Sequence, residues 1–190
     1  MRTSHQNNEK VIWIGDSSGA NIILSLIMET LRLESSHDGN DRQQEKEKKI
    51  PRPISALVIS PSTDLTRSNP RIHSIVPHDP FMTPSIIKAT AAAWLGEDVS
   101  ASDPIVSPIY GNFKFLGASG IKIHGVTAGY DVLSPDGVVY REKLEENKVE
   151  GIWLHWERQM HCFVLTAKYG LREGREGVEW IIDVLRKDLI

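Results

Sequence analysis

The chain has 190 residues, a formal net charge of −3 and a single cysteine, Cys162. This length suits one domain over residues 1–190, and 40% hydrophobic with 25% charged residues is ordinary for a soluble globular protein. The small net charge and the lack of a basic stripe argue against nucleic acid or an anionic membrane as a partner. One cysteine forms neither an intramolecular disulfide nor a cysteine-based zinc site, and Cys162 is expected to be a small buried hydrophobic residue.

The first ten residues contain no apolar core. They therefore predict no signal peptide, and no apolar run in the chain is long enough to span a bilayer. A cytoplasmic location is the expectation that follows.

The first predicted elements are a strand, a sharp turn and a helix. The apolar run 11–14 leads into the motif G-D-S-S-G at residues 15–19, and an apolar helical stretch follows over 21–33. Small residues let such a turn lift a serine hydroxyl off the sheet, and the helix N-terminus points N–H groups at an oxyanion formed there. This context favours Ser17 as a nucleophile over a merely glycine-rich turn, with Asp16 as a structural residue of the turn.

The next segments are a polar stretch and a second strand. Residues 34–49 contain no apolar side chain, which predicts a flexible polar loop over residues 35–50. The apolar run 56–60 ends at a proline and predicts a buried strand of a parallel sheet.

Residues 62–118 are expected to form an irregular, cap-like insertion that lines a pocket. Its one predicted helix covers 86–95, with a proline near the first turn, and 102–120 is predicted to be a loop. The apolar side chains expected to line the pocket are Phe113, Phe115, Leu116 and those between Phe81 and Trp94. His73, His78 and Asp79 could form part of a metal site, but proline-rich loop positions explain them better.

The second half alternates strands with helices. Strands are predicted at 121–128 and 152–156, a helix at 134–146 and an amphipathic helix at 177–189. Together with the first two strands, this alternation predicts an α/β fold, with a mostly parallel sheet of about four strands and helices on both faces.

Two further residues lie where a serine nucleophile needs them. Asp131 follows the third predicted strand and His161 follows the fourth, so both belong with Ser17 at the carboxyl ends of the strands. The order Ser, Asp, His is the one expected of α/β hydrolases. Asp136 is the alternative acid, although it suits a helix cap better, and the alternative bases His124 and His155 lie inside strands.

Five motifs together resemble one known family. They are G-D-S-S-G-A-N at 15–21, S-P-S-T-D-L at 60–65, D-P-I-V-S-P at 103–108, D-V-L-S-P-D at 131–136 and M-H-C-F at 160–163. The chain is similar to hormone-sensitive-lipase-like (fold-3) esterases of the α/β hydrolase fold, and within them to fungal carboxylesterase-like members. The resemblance implies that Ser17 is the nucleophile, Asp131 the orienting acid and His161 the general base. It also implies that the backbone N–H of Ser18 binds the oxyanion, and it implies no metal or organic cofactor.

The sequence departs from the family pattern at its start. The family has a His-Gly-Gly loop upstream of the nucleophile motif that supplies further oxyanion donors, and this sequence has only ten residues before the first strand. A partial fold that lacks the N-terminal strands is therefore expected, as in a truncated chain. Loss of one oxyanion donor typically lowers turnover about 10²–10³-fold. The first strand becomes a sheet edge, and self-association through that edge is expected.

These features favour a carboxylic ester hydrolase that acts on short or medium acyl esters through an acyl-enzyme, with impaired activity. A peptidase or amidase is a weaker option of the same class. The alternative is a non-catalytic small-molecule-binding protein on the same scaffold, as in the plant gibberellin receptors of this family.

Overall fold

A computed structural model describes residues 10–36 and 52–190. Its strands are β1 (Ile12–Asp16), β2 (Ser55–Ile59), β3 (Lys122–Tyr130) and β4 (Trp153–Met160). Its α-helices are α1 (Ser17–Ser36), α2 (Ile72–Ile75), α3 (Pro84–Leu95), α4 (Phe113–Ser119), α5 (Ser134–Glu146) and α6 (Arg172–Leu189), and 3₁₀ helices cover Pro108–Tyr110 and Phe163–Tyr169. Most of the polar loop predicted at 35–50 lies outside the described residues, while Ser35 and Ser36 end helix α1.

The four strands form one parallel sheet in the order β1-β2-β3-β4. Strand β2 is buried along its whole length, as expected for a strand between two others in a sheet covered on both faces. The prediction of an α/β fold with a parallel sheet of about four strands is confirmed. Because all strands run the same way, their carboxyl ends meet at one edge, where the loops carrying Ser17, Asp131 and His161 emerge.

The two faces of the sheet have separate hydrophobic cores. Alternation along β2 sends Ala56 and Val58 to one face, where they pack with residues of α1, α4 and α5. Leu57 and Ile59 point to the other face and pack with Phe163 and residues of α6. Helices therefore cover both faces, as predicted.

The insertion at 62–118 is more regular than predicted. Besides α3, it contains α2, a 3₁₀ turn and α4, so the loop predicted over 102–120 is wrong at residues 113–119. Asn112 caps α4 by accepting a hydrogen bond from the N–H of Lys114 at 3.1 Å. Phe113 and Leu116 face the α1 core, and Phe115 packs against it, so the prediction that these three line the pocket is also wrong.

The outer side of β1 is open among the described residues. Strand β1 pairs there only with β2, and Ile14 on β1 with Ile22 and Leu26 on α1 are about half exposed. Apolar side chains thus flank an unpaired strand edge on both faces of the sheet. Within residues 10–36 and 52–190, no helix is long and apolar enough to cross a membrane.

Candidate active site

The turn between β1 and α1 presents Ser17 at the carboxyl edge of the sheet. A Cβ atom on Gly15 would lie 2.7 Å from the carbonyl carbon of Gly19, so only glycine allows the strand and helix to approach this closely. Ser17 has φ = +52°, a left-handed conformation that is uncommon for a serine. Helix α1 begins at this residue, four residues before the predicted apolar stretch, because the turn is too tight to leave a linker.

His161 lies directly after β4, with its imidazole between the predicted nucleophile and the predicted acid. Its Nε2 is 3.0 Å from Ser17 Oγ, and its Nδ1 is 3.0 Å from Asp131 Oδ2. The next residue, Cys162, has a left-handed backbone, and its N–H donates to Ser60 Oγ at 3.0 Å, which fixes the loop to the end of β2. The structure therefore brings the three predicted residues together in one chain of contacts.

Asp131 is fully buried where β3 gives way to α5. Its other oxygen, Oδ1, accepts the N–H of Leu133 at 2.9 Å. A second carboxylate anchors the loop from outside, because Asp79 Oδ2 accepts the N–H of Val132 at 2.9 Å. Both oxygens of Asp131 thus have donors, and the carboxylate is held toward the imidazole.

The surroundings of His161 favour its protonated form. Burial alone lowers the pKa of His161, but the hydrogen bond to Asp131 and the contact with the Cys162 thiol raise it, and the net pKa is raised. A base held in this way binds a proton readily once serine gives it up. The contact with Cys162 is not evident from the sequence beyond adjacency, and the thiol itself is buried, as predicted.

Ser18 follows the left-handed Ser17 in the first turn of α1. The first N–H groups of a helix have no partner within the helix, so the Ser18 N–H is free of helical bonding. Asn21, one turn later, donates from Nδ2 to the carbonyl oxygens of Ser62 at 2.6 Å and Val106 at 2.7 Å. These two hydrogen bonds join the start of α1 to two loops. The asparagine that makes them is the last residue of the motif G-D-S-S-G-A-N, so the motif itself could have indicated this contact.

The alternative site residues lie elsewhere. His124 Nε2 is 2.8 Å from Asp188 Oδ2, and His155 Nδ1 is 2.8 Å from Thr127 Oγ1, so neither imidazole contacts the serine. Asp79 Oδ1 accepts the N–H groups of Phe81 and Met82. Of His73, His78 and Asp79, the aspartate therefore already anchors loops through both of its carboxylate oxygens.

Two cavities flank Ser17. One has a volume of about 120 Å³ and lies toward α3, and the other is a wider cleft of about 530 Å³ toward the 3₁₀ helix after β4. The side chain of Phe81 stacks over the His161 imidazole, with ring centroids 6.4 Å apart and planes at 6°. The predicted lining from Phe81 to Trp94 does border these spaces; it contributes Phe81, Met82, Thr90, Ala91 and Trp94.

A serine, a histidine and a buried aspartate in contact at the carboxyl edge of a parallel sheet form the arrangement expected of an α/β hydrolase. The family model described as "alpha/beta hydrolase fold" matches residues 2–165, and the chain belongs to that family.

Individual relatives agree with this class. An esterase of Acinetobacter venetianus is 25% identical over an alignment of 173 positions that covers 87% of this chain and 50% of that protein. A solved esterase/lipase from an uncultured bacterium has a TM-score of 0.79 at 21% identity, covering 99% of this chain and 57% of its own. The hormone-sensitive-lipase homologue EstE7 from a metagenome library has a TM-score of 0.79 at 17% identity, with 98% and 58% covered. The expected resemblance to hormone-sensitive-lipase-like α/β hydrolases is confirmed, and the chain spans about half the length of the curated relative it matches.

Proposed function

We propose that this chain carries the nucleophile, base and acid of a carboxylic ester hydrolase. The observation that supports this most strongly is the pair of 3.0 Å contacts that join Ser17 Oγ to His161 and His161 to Asp131. A serine hydroxyl is a weak nucleophile until an oriented base accepts its proton. This arrangement supplies both the base and its orienting acid.

The proposed reaction passes through an acyl-enzyme. His161 accepts the Ser17 proton while Ser17 Oγ attacks the ester carbonyl carbon, and the Ser18 N–H donates a hydrogen bond to the oxyanion. His161 then gives its proton to the departing alcohol oxygen. A water molecule, deprotonated by His161, attacks the carbonyl carbon of the acyl-enzyme. Collapse of the second oxyanion breaks the bond to Ser17 Oγ and releases the carboxylic acid, while His161 returns the proton to Oγ and so restores the serine.

The unequal cavities suggest which parts of an ester they hold. We assign the acyl group to the cavity of about 120 Å³, because it borders Ser17 and is the smaller of the two, so that a short chain fits it best. The cleft of about 530 Å³ is assigned to the alcohol. Short acyl esters are therefore the proposed substrates, and longer acyl chains should react progressively more slowly.

The test is turnover of p-nitrophenyl acetate, butyrate and octanoate by the chain and by Ser17→Ala. We expect acetate and butyrate to be hydrolysed and octanoate to be poor, and Ser17→Ala to fall to the background rate. Ser102→Ala, a substitution of an exposed serine, is the matched control and should keep full activity. Equal rates for Ser17→Ala and the parent chain would overturn the proposal.

A non-catalytic binding protein is the second candidate, favoured by the wide cleft beside Ser17 and by a single assigned oxyanion donor. A fluorophosphonate probe separates the two, because only an activated serine forms the covalent adduct. Labelling that disappears in Ser17→Ala supports the hydrolase. Reversible ligand binding without labelling supports the binding protein.

We further propose that two copies associate through the open edge of β1. Its apolar flanks, Ile14, Ile22 and Leu26, support this because an unpaired strand edge with exposed apolar neighbours pairs readily with another. Sedimentation of the chain and of Ile14→Lys measures it. A dimer that Ile14→Lys converts to a monomer supports the proposal, and a monomeric parent chain contradicts it.

A further inference from the structure

Asp79 is a half-buried carboxylate on the loop between α2 and α3, and its two oxygens bond to different parts of the molecule. Oδ1 accepts the N–H groups of Phe81 and Met82, both at 2.8 Å. Oδ2 accepts the N–H of Val132 at 2.9 Å. One side chain therefore closes a tight turn in its own loop and also ties that loop to the segment that follows β3.

The turn closed by Oδ1 places an aromatic ring on the proposed base. Phe81 is 64% exposed, so it forgoes most of the stabilisation that burial gives to a side chain of this size. Its ring nevertheless lies parallel to the His161 imidazole, in the stacked geometry given above. Because the ring is mostly exposed, the hydrogen bonds of the Asp79 turn, rather than packing in a core, hold it there.

The bond from Oδ2 acts on the proposed acid. Val132 directly follows Asp131, so a bond to its N–H holds the backbone that carries this carboxylate. A second contact joins the same two segments, because the ring of His78 stacks on Tyr130 with centroids 5.1 Å apart and planes at 17°. Two adjacent contacts therefore fix the loop of residues 78–82 to the end of β3 and the loop after it.

These contacts make Asp79 a link between the proposed acid and the proposed base. We propose that Asp79 is a positioning residue of the triad, with a separate task for each oxygen. Oδ2 holds the Asp131 loop, and Oδ1 holds Phe81 against the imidazole. The inference rests on the proposed hydrolase function. Asp79 is not among the residues that line the two cavities beside Ser17, so its effect should fall on kcat rather than on KM.

Asp79→Asn separates the two tasks. The asparagine oxygen can still close the turn, but its NH₂ group then faces the Val132 N–H, and two donors form no hydrogen bond. The link to the Asp131 loop is therefore lost while the turn that carries Phe81 remains. We expect kcat for p-nitrophenyl acetate to fall about tenfold, the order of magnitude of a lost hydrogen bond to a charged group, with KM unchanged.

Asp79→Ala removes both tasks. It opens the turn as well as the link, so kcat should fall further than in Asp79→Asn. When each of these substitutions is combined with Phe81→Ala, the two double variants should have equal kcat, because no ring remains for the turn to hold. A kcat that still differs between the double variants would contradict the task assigned to Oδ1.

An NMR titration of the imidazole, assigned by its absence in His161→Gln, gives a readout that needs no turnover. Burial lowers the pKa of His161 and the hydrogen bond to Asp131 raises it. Asp79→Asn loosens the Asp131 loop and should move the midpoint to lower pH. Phe81→Ala uncovers the imidazole and should move it to higher pH. The other titratable side chains that line the same cleft are unchanged in both variants: Asp16, Cys162 and Lys168.

Asp103→Asn is the matched control. Asp103 Oδ1 accepts the N–H of Ile105 at 2.9 Å in a similar exposed turn, so the substitution makes the same chemical change away from the triad. It should match the parent chain in kcat and in the titration midpoint. Thermal unfolding of all variants measures the stability of the fold.

Several results would overturn the positioning role of Asp79. A lower melting temperature, or loss of the fold, in Asp79→Asn with no change in kcat and titration midpoint relative to folded parent chain would show that the carboxylate serves stability alone. A rise in KM alone would identify a substrate-binding residue instead.

Failure of the proposed function gives a different result. A parent chain without turnover overturns the hydrolase but leaves the NMR titration intact. In that case a lower midpoint in Asp79→Asn supports the positioning role, and a midpoint equal to that of the parent chain overturns it.

Discussion

The two sides of Ser17 are built very differently. Toward β2, β3 and β4, each neighbouring loop is tied to another: Cys162 N–H to Ser60 Oγ, Val132 N–H to Asp79, and Asn21 to the carbonyls of two loops. Toward the outer edge of β1, apolar side chains are half exposed and the strand has no second partner among the described residues.

The difference also appears in the two glycines of the turn. A Cβ on Gly15 would collide with the backbone of Gly19, whereas a Cβ on Gly19 would meet no described atom within 4 Å. The proposed acid and base, Asp131 and His161, are therefore organised by the closed side. On the open side, the Ser18 N–H is the one oxyanion donor that we propose among the described residues.

The largest expected effect concerns the closed side. Asp131→Asn keeps the size of the buried side chain but removes the charge that orients His161. We expect kcat to fall about 10⁴-fold, measured with p-nitrophenyl acetate, while the unfolding temperature changes little. Asp183→Asn on exposed α6 serves as the control, and a loss below tenfold for Asp131→Asn would contradict the role of the acid.

The next effect compares the two sides directly. Leu57 and Ile14 are register partners on adjacent strands, yet Leu57 is 0% and Ile14 54% exposed. Leu57→Ala should lower the free energy of unfolding by about 4 kcal/mol, and Ile14→Ala by about 1 kcal/mol or less. Urea unfolding of both variants measures this contrast. Equal losses would mean that something outside the described residues covers β1.

A smaller effect comes from Asp136. Its pKa of about 6 in the folded chain lies above the usual value near 3.8, so folding is disfavoured as pH rises between these values. The shift corresponds to roughly 3 kcal/mol. Asp136→Asn lacks this penalty, and its stability relative to the parent chain should increase by about that amount from pH 4 to pH 8 in urea titrations. A pH-independent difference would show that Asp136 is not buried as a carboxylate.

The smallest effect is the acid limb of the activity profile. Only neutral His161 accepts the serine proton, and because its pKa is raised, kcat/KM should still be rising above pH 6.5, with about tenfold lost per pH unit below the midpoint. Cys162→Ala removes one contact that raises this pKa and should move the midpoint to lower pH. A midpoint below 6 in the parent chain would be inconsistent with the Asp131 contact.

Sequence patterns predict the closed side well because local signals and tertiary structure agree there. The helix 134–146 has the bounds expected from its Ser-Pro-Asp start, and the three site residues follow from strand ends and chain order. The sequence pattern does not predict α4, because this helix has only seven residues and contains a glycine. Its helical conformation therefore depends on its contacts with the core rather than on the helix propensity of its residues.

The placement of Arg67 could not be read from the sequence either. An arginine in a polar loop predicts an exposed side chain. Arg67 is instead half-buried, because its guanidinium donates to the carbonyl oxygen of Asp64 and to Ser62 Oγ. Side-chain contacts of this kind within a loop leave no signature in the sequence pattern.

The left-handed backbone of Ser17 lowers the stability of the fold at the residue that the proposed activity requires. Serine in this conformation carries roughly 1 kcal/mol of strain that glycine would not. A chain selected only for stability would tend to replace the serine, and Ser17→Gly is the substitution that would gain most from relief of that strain. Serine at this position is thus a cost to folding, which is the trade-off expected where chemistry, rather than packing, determines the residue.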